Sequence, residues 1–169
     1  MSLLILMRHA KAVREHEAAS DRVRDLTEAG LRDAAAAAAA IRDAGFAPAR
    51  MLASPASRTR MTAHAAREAL PSVTELVLVE PLYLATAETI WAEVRDAFTA
   101  TGMMVVGHNP GLHELAAAWI ERDRDRSSLA RALTDGMATS AWAAFEVEED
   151  APFGGAVKLL GGSASRGGG

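Results

Sequence analysis

Four times along this chain a short, mostly apolar run breaks off at polar or turn-forming residues, and a helix-patterned segment follows after a brief link. Leu3-Leu4-Ile5-Leu6-Met7 is the purest of these runs. It has no polar alternation and stops abruptly at Arg8-His9-Ala10-Lys11, the pattern of a strand buried on both faces that opens into a polar loop. This run is expected to be the first and central strand. Residues 50–53, 75–79 and 103–106 read as three more strands of the same kind. Strands that alternate with helices through short links predict an α/β fold of three layers, α/β/α, with a mostly parallel central sheet.

The helix signals are of the capping kind. Thr27 precedes Glu28, Leu31, an alanine run from Ala34 to Ala40 and Ile41, and the pattern stops at Gly45, so a helix with a threonine N-cap is predicted there. Alanine has the highest helix propensity, and its small side chain allows close packing on a sheet. Ser54-Pro55 and Asn109-Pro110 each pair a capping residue with a proline suited to the first helical position. They predict helices to about residue 70 and about residue 120. Residues 86–98 place Ile90, Trp91, Val94 and Phe98 on one helical face. Residues 11–25 are charged and aperiodic, and read as a loop. Residues 121–126 alternate in charge sign, as a solvated helix end or loop does. Residues 140–147 and 156–160 read as two further strands, and residues 161–169 as a flexible Gly/Ser-rich tail. One domain over residues 1–160 is expected.

Composition narrows the chemistry. A chain of 169 residues buries enough surface to fold without disulfides or structural metal. It has no cysteine, which removes every thiol mechanism and every cysteine metal site. A formal charge of -4 argues against a general nucleic-acid binder. The apolar run at residues 3–7 is too short for a secretory leader, and no stretch reaches membrane-spanning length. A soluble cytoplasmic protein is expected; nothing in the sequence specifies an assembly.

In a parallel sheet of this kind, ligands bind beyond the carboxyl ends of the strands. Arg8 and His9 follow the first strand, Ser54 to Arg58 the second, Glu80 the third and His108 the fourth. Four separate stretches thus bring two arginines, two histidines and a carboxylate to one edge. Arginine matches phosphate with a planar fork of donors, and helix N-termini add free N–H groups, so the edge suits an anion. A histidine among arginines resists protonation and keeps a ring nitrogen available as a nucleophile. His16 reads as an exposed loop residue. His64 and His113 lie within predicted helices with no partner at metal-ligand spacing. Trp91, Trp119 and Trp142 read as core, and Asp21 with Arg24 as an ion pair that fixes the long loop.

Leu6-Met7-Arg8-His9-Ala10-Lys11, Ser54-Pro55-Ala56-Ser57-Arg58-Thr59 and Gly107-His108-Asn109 resemble the motifs of the histidine phosphatase, or phosphoglycerate mutase-like, superfamily. Within it, the Arg-His-Ala-Lys form, the segment Asp21…Arg24-Asp25-Leu26-Thr27…Gly30 and the Gly-His-Asn-Pro-Gly turn are most similar to the SixA group of phosphohistidine phosphatases. The resemblance runs from about residue 3 to residue 142. It implies a phosphoglycerate mutase-like fold, His9 as the nucleophile that accepts a phosphoryl group, and Arg8, Arg58 and His108 as the phosphate pocket. Lys11 is a further candidate for substrate binding through its positive potential. The scheme needs neither metal nor cofactor. Members of the wider family that cleave esters use a carboxylic acid to protonate the leaving alkoxide, and Glu80 is the candidate here. The SixA group often lacks a defined acid. Ala10 stands where glycine is commoner, which weakens a mutase reading more than a phosphatase one.

The implied function is a metal-independent phosphatase acting on phosphohistidine of a protein or on a related small phosphate. A general phosphomonoesterase or mutase-like enzyme using Glu80 is the alternative. A noncatalytic phosphate- or phosphoprotein-binding module is a third reading, but binding alone would not need the nucleophile.

Overall fold

The computed structural model describes residues 2–124, 126–148 and 157–165. Its elements run β1 (Ser2–Arg8), α1 (Glu28–Asp43), β2 (Arg50–Ala53), α2 (Ser57–Ala69), β3 (Glu75–Leu78), α3 (Ala87–Asp96), β4 (Met103–Gly107), α4 (Gly111–Asp123), α5 (Ser128–Asp135), β5 (Trp142–Val147) and β6 (Val157–Ser163). The strands form one six-stranded sheet in the order β3-β2-β4-β1-β5-β6. The first four are mutually parallel, while β5 is antiparallel to β1 and β6 to β5. The expected mostly parallel α/β sheet is therefore the observed one.

The apolar runs are continuous because both faces of the sheet are covered. Successive side chains of a strand point to opposite faces. Leu4 and Leu6 of β1 join Met103 and Val105 of β4 and Ala143 and Phe145 of β5 in one core, closed by α3, α4 and α5 through residues such as Ile90, Leu115 and Leu133. Ile5 and Met7 join Met51, Met104, Val106 and Ala144 on the other face, under Ala37, Ala38 and Ile41 of α1 and Ala63 and Ala66 of α2. The alanine run thus packs α1 closely, as its composition predicts. Trp91, Trp119 and Phe145 meet edge to face at 5.2 and 5.3 Å between ring centroids, and Trp142 packs on Phe46. These tryptophans are core.

Thr27 and Thr86 cap α1 and α3, accepting from the N–H groups of Gly30 and Thr89. The other two caps are not where the sequence pattern put them. α2 starts at Ser57 with Ala56 as its cap residue, and α4 starts at Gly111 with Pro110 as its cap residue. Ser54 and Asn109 are engaged instead by tertiary partners, His108 and the Met137 carbonyl. Helix α5 lies in a stretch to which the sequence pattern assigned no element; Ser127 caps it through the Ala130 N–H.

The strand expected at 156–160 runs on to Ser163, so the domain extends beyond residue 160. Gly161 and Gly162 are part of the sheet rather than the start of a tail. A Cβ on Gly161 would lie 3.1 Å from the Phe46 ring, and one on Gly162 would lie 2.7 Å from the Trp142 carbonyl. These glycines mark close approach of neighbouring groups, which in sequence looks the same as a flexible linker. Residues 166–169 of the expected tail lie outside the described residues.

Candidate active site

Strands β2, β4 and β1 are adjacent, and their pairing sets Arg8 beside Gly107 and Ala53 beside Val106. Their carboxyl ends are therefore level. His9, Ser54 and His108, each one residue past a strand, and Arg58, in the first turn of α2, come together there. All are buried: His9 is 8% exposed, Arg58 and His108 are each 2% exposed, and Ser54 is closed off. The His9 and His108 rings lie 5.5 Å apart.

The backbone around His9 is held on both sides. Its N–H donates to the Gly107 carbonyl, and its own carbonyl accepts from the Ser140 N–H, both at 3.1 Å. The Ala10 N–H donates to Thr62 Oγ1 at 3.0 Å, and that hydroxyl donates to the Arg58 carbonyl at 2.7 Å. The loop after β1 is thereby tied to α2. His9 Nδ1 sits 2.7 Å from the Ala10 carbonyl, which can only accept, so Nδ1 carries the ring hydrogen and Nε2 keeps its lone pair.

Burial lowers the pKa of His9 to about 4, reinforced by the charges of Arg58, Arg8 and Arg24 against the opposing effect of the Ala10 hydrogen bond. Burial likewise takes His108 down to about 3, with Arg58, His9 and Arg8 adding to it and Asp21 opposing. Both rings are neutral near pH 7, as the sequence argument for a histidine among arginines requires.

Arg58 is shared among several acceptors. Its Nη1 donates to the Asp21 carbonyl at 2.7 Å, and its Nη2 lies 3.0 Å from Asp21 Oδ2 and 3.3 Å from His108 Nδ1. Its Nε is buried with no hydrogen-bond partner among the described residues. Arg8 donates from Nη1 to the Met137 carbonyl at 3.0 Å. The expected Asp21–Arg24 pair is present at 3.0 Å.

Asp21 does more than the sequence implied, because it also receives the Tyr83 hydroxyl at 2.6 Å. Partial burial works against its ionisation, but the hydrogen bonds from Tyr83, Arg58 and Arg24 outweigh it and hold the carboxyl well below the usual range. The Tyr83 ring stands edge-on to His108 at 5.6 Å. Tyr83 was missed in the sequence; its one signal was being the chain's single tyrosine, just past the third strand.

Two sequence candidates are placed differently. Glu80 is on the surface, its side chain 67% exposed, with both carboxylate oxygens bonded to Arg22 at 2.6 and 2.7 Å. That guanidinium lowers its pKa, the opposite of what a proton donor needs. Lys11 is exposed, and its carbonyl accepts from the Thr27 N–H at the start of α1. His16 and His64 are exposed, and His113 bonds the Thr134 carbonyl between α4 and α5, away from this cluster.

A neutral imidazole with a free lone pair, beside two guanidinium groups and a second imidazole, suits attack on an electrophilic phosphorus whose oxygens those groups surround. Residues 4–83 match the model of the histidine phosphatase superfamily, branch 1. No curated protein matches the chain at a significant level. Among solved structures, the proposed phosphohistidine phosphatase SixA of Agrobacterium tumefaciens is 29% identical, with 97% of this chain and 98% of that one covered and a TM-score of 0.81. The corresponding SixA protein of Nakamurella multipartitia is 28% identical over 96% and 95% of the two chains, with a TM-score of 0.76. A protein histidine phosphatase SixA solved with tungstate shares the fold at 22% identity, 95% coverage of both chains and a TM-score of 0.75. The chain is thus similar to the histidine phosphatase superfamily over residues 4–83 and to SixA structures over nearly its whole length, which supports a phosphatase enzyme.

Proposed function

We propose that the protein hydrolyses phosphohistidine, protein-borne or in a small molecule, through a phosphorylated His9 and without a metal. His9 Nε2 attacks phosphorus as the bond from phosphorus to the substrate's ring nitrogen breaks. The departing imidazole leaves with the bond's electron pair and takes a proton from solvent. Water then attacks the phosphorus on His9, the P–N bond breaks, and inorganic phosphate leaves with His9 neutral again. Arg8, Arg58 and His108 surround the phosphoryl oxygens in both steps, where preorganised donors lower the barrier most.

The observation that carries the reading is the bond from His9 Nδ1 to the Ala10 carbonyl at 2.7 Å, which turns the other nitrogen's lone pair into use as a nucleophile. The state of Glu80 favours a phosphoramidate over an alkyl ester. An alkoxide needs an acid to leave and an imidazole needs one far less, while the carboxylate at the third strand end is held ionised by Arg22. The two SixA relatives point to the same substrate class.

A pulse of phosphorus-labelled phosphohistidine, followed by quenching and peptide mapping, tests this directly. Acid-labile label on the peptide that contains His9 is the expected result. Label elsewhere, or turnover that persists in His9→Ala, overturns it.

A further inference from the structure

Ser54 has no role in the scheme above, yet it is among the most tightly held residues of the site. It is buried, its N–H donates to the Val106 carbonyl of β4 at 3.1 Å, and its carbonyl accepts from Thr59 Oγ1 at 2.8 Å. Its hydroxyl is thereby set 2.8 Å from His108 Nε2, with the Ala56 N–H directed at the same oxygen from 3.4 Å. The other ring nitrogen, Nδ1, lies 3.3 Å from Arg58 Nη2. A guanidinium only donates, so Nδ1 presents a lone pair and the ring hydrogen sits on Nε2, donated to Ser54 Oγ.

This arrangement conflicts with the contents of a phosphate pocket. When an anion takes over Arg58, an anion oxygen replaces the guanidinium in front of Nδ1, and two lone pairs then face each other. One proton on Nδ1 turns that repulsion into a charge-assisted hydrogen bond. On the foundation of the phosphate pocket proposed above, we infer that Ser54 is a positioning residue that receives the Nε2 hydrogen of His108 and so keeps its Nδ1 turned toward Arg58 and the pocket, and that a dianion binds together with one proton taken up at His108 Nδ1.

The groups that face His108 set the direction of the coupling. Burial, Arg58, Arg8 and His9 oppose its protonation, Asp21 favours it, and Tyr83 presents a neutral ring edge. In the free protein the first set prevails, with the ring's pKa near 3. A dianion in contact adds two negative charges to the favourable side. Between the free and bound pKa values the complex holds one more proton than the free protein, so affinity falls as pH rises.

Tungstate is the probe, because above neutral pH it stays a dianion and contributes no titration of its own. Its Kd, measured by calorimetry from pH 7 to 9, is expected to rise with pH, by up to about tenfold per pH unit below the bound pKa. His9→Gln keeps that slope if the proton resides on His108. Nitrogen-15 NMR of the His108 ring is expected to show the Nε2-protonated tautomer in the free protein and the imidazolium in the complex. In Ser54→Ala the Nε2 hydrogen loses its acceptor, so the imidazolium of the complex is less favoured and the pH slope flattens; Ser54→Thr, which keeps the hydroxyl, restores the slope. A packing role alone would weaken binding equally at every pH.

A flat slope in the wild type, or an unchanged slope in Ser54→Ala, overturns the inference. Should Ser54→Ala not fold, the wild-type NMR spectra decide, since a free-state proton on Nδ1 refutes it. Failure of tungstate to bind at any pH instead refutes the phosphate pocket itself.

Discussion

The carboxyl ends of β1, β2 and β4 and the carboxyl end of β3 look alike in sequence, each a short apolar run closing on a polar residue, but they are physically different places. At the first three, His9, Arg58 and His108 are buried, and their hydrogen bonds go to backbone carbonyls, to the Asp21 carboxylate, to the Ser54 hydroxyl and, from Arg58 to His108, to one another. At the fourth, Glu80 stands in solvent against Arg22. The sheet order explains this, since β2, β4 and β1 are neighbours while β3 is the edge strand. Strand-end polarity marks a candidate; adjacency in the sheet makes it part of a site.

The comparison can be broken by substitution at each end. His9→Ala is expected to have the largest effect, a fall in turnover of roughly a thousandfold or more, because the covalent route is lost. A far-ultraviolet circular dichroism spectrum unchanged from wild type shows that the fold survives. Arg58→Ala comes next, with kcat/KM down by about a hundredfold or more, as for removal of a preorganised charge donor. Arg58→Lys is expected to recover little of this, because a point charge cannot reproduce the fork that reaches Asp21 and His108 together. Full recovery by lysine would mean that only charge matters there.

A pH series sharpens the contrast through stability. The His9 and His108 pKa values are depressed from 6.5 to about 4 and about 3 by folding, so between these values and 6.5 the unfolded chain binds more protons than the folded one. Stability is then expected to rise with pH across that window and to level off above about 6.5. Thermal melts of His108→Gln against wild type are the check: the variant should lose one proton's worth of the slope. The smallest effect belongs to the exposed end. Glu80→Gln is expected to leave the melting temperature unchanged and phosphohistidine turnover within about twofold, because an exposed ion pair contributes little. A large loss of turnover there would return Glu80 to the reaction and undo the distinction between the strand ends.

Much of the architecture was legible because its signals are local. The four parallel strands, the threonine caps of α1 and α3 and the alanine-rich face of α1 follow from periodicity and capping chemistry within a few residues. The misreadings share a cause. Ser54 and Asn109 have the residue type and the proline neighbour of a helix cap, but each found a partner far along the chain, His108 and Met137. Gly161 and Gly162 have linker composition, and only the neighbouring strand and Phe46 reveal how little room a side chain would have there. The Tyr83–Asp21–Arg58 connection joins three segments, and no spacing in the sequence encodes it.

By itself, the amino-acid sequence determined which residues could form strands and helices and which side chains suit phosphate chemistry, because hydrophobic period, capping and functional groups are properties of short stretches. The tertiary structure alone decided which strand ends meet, which ring nitrogen of His9 and of His108 keeps its lone pair, and that Glu80 is spent on Arg22. The reason is that burial, tautomer and charge pairing depend on neighbours brought in from elsewhere in the chain.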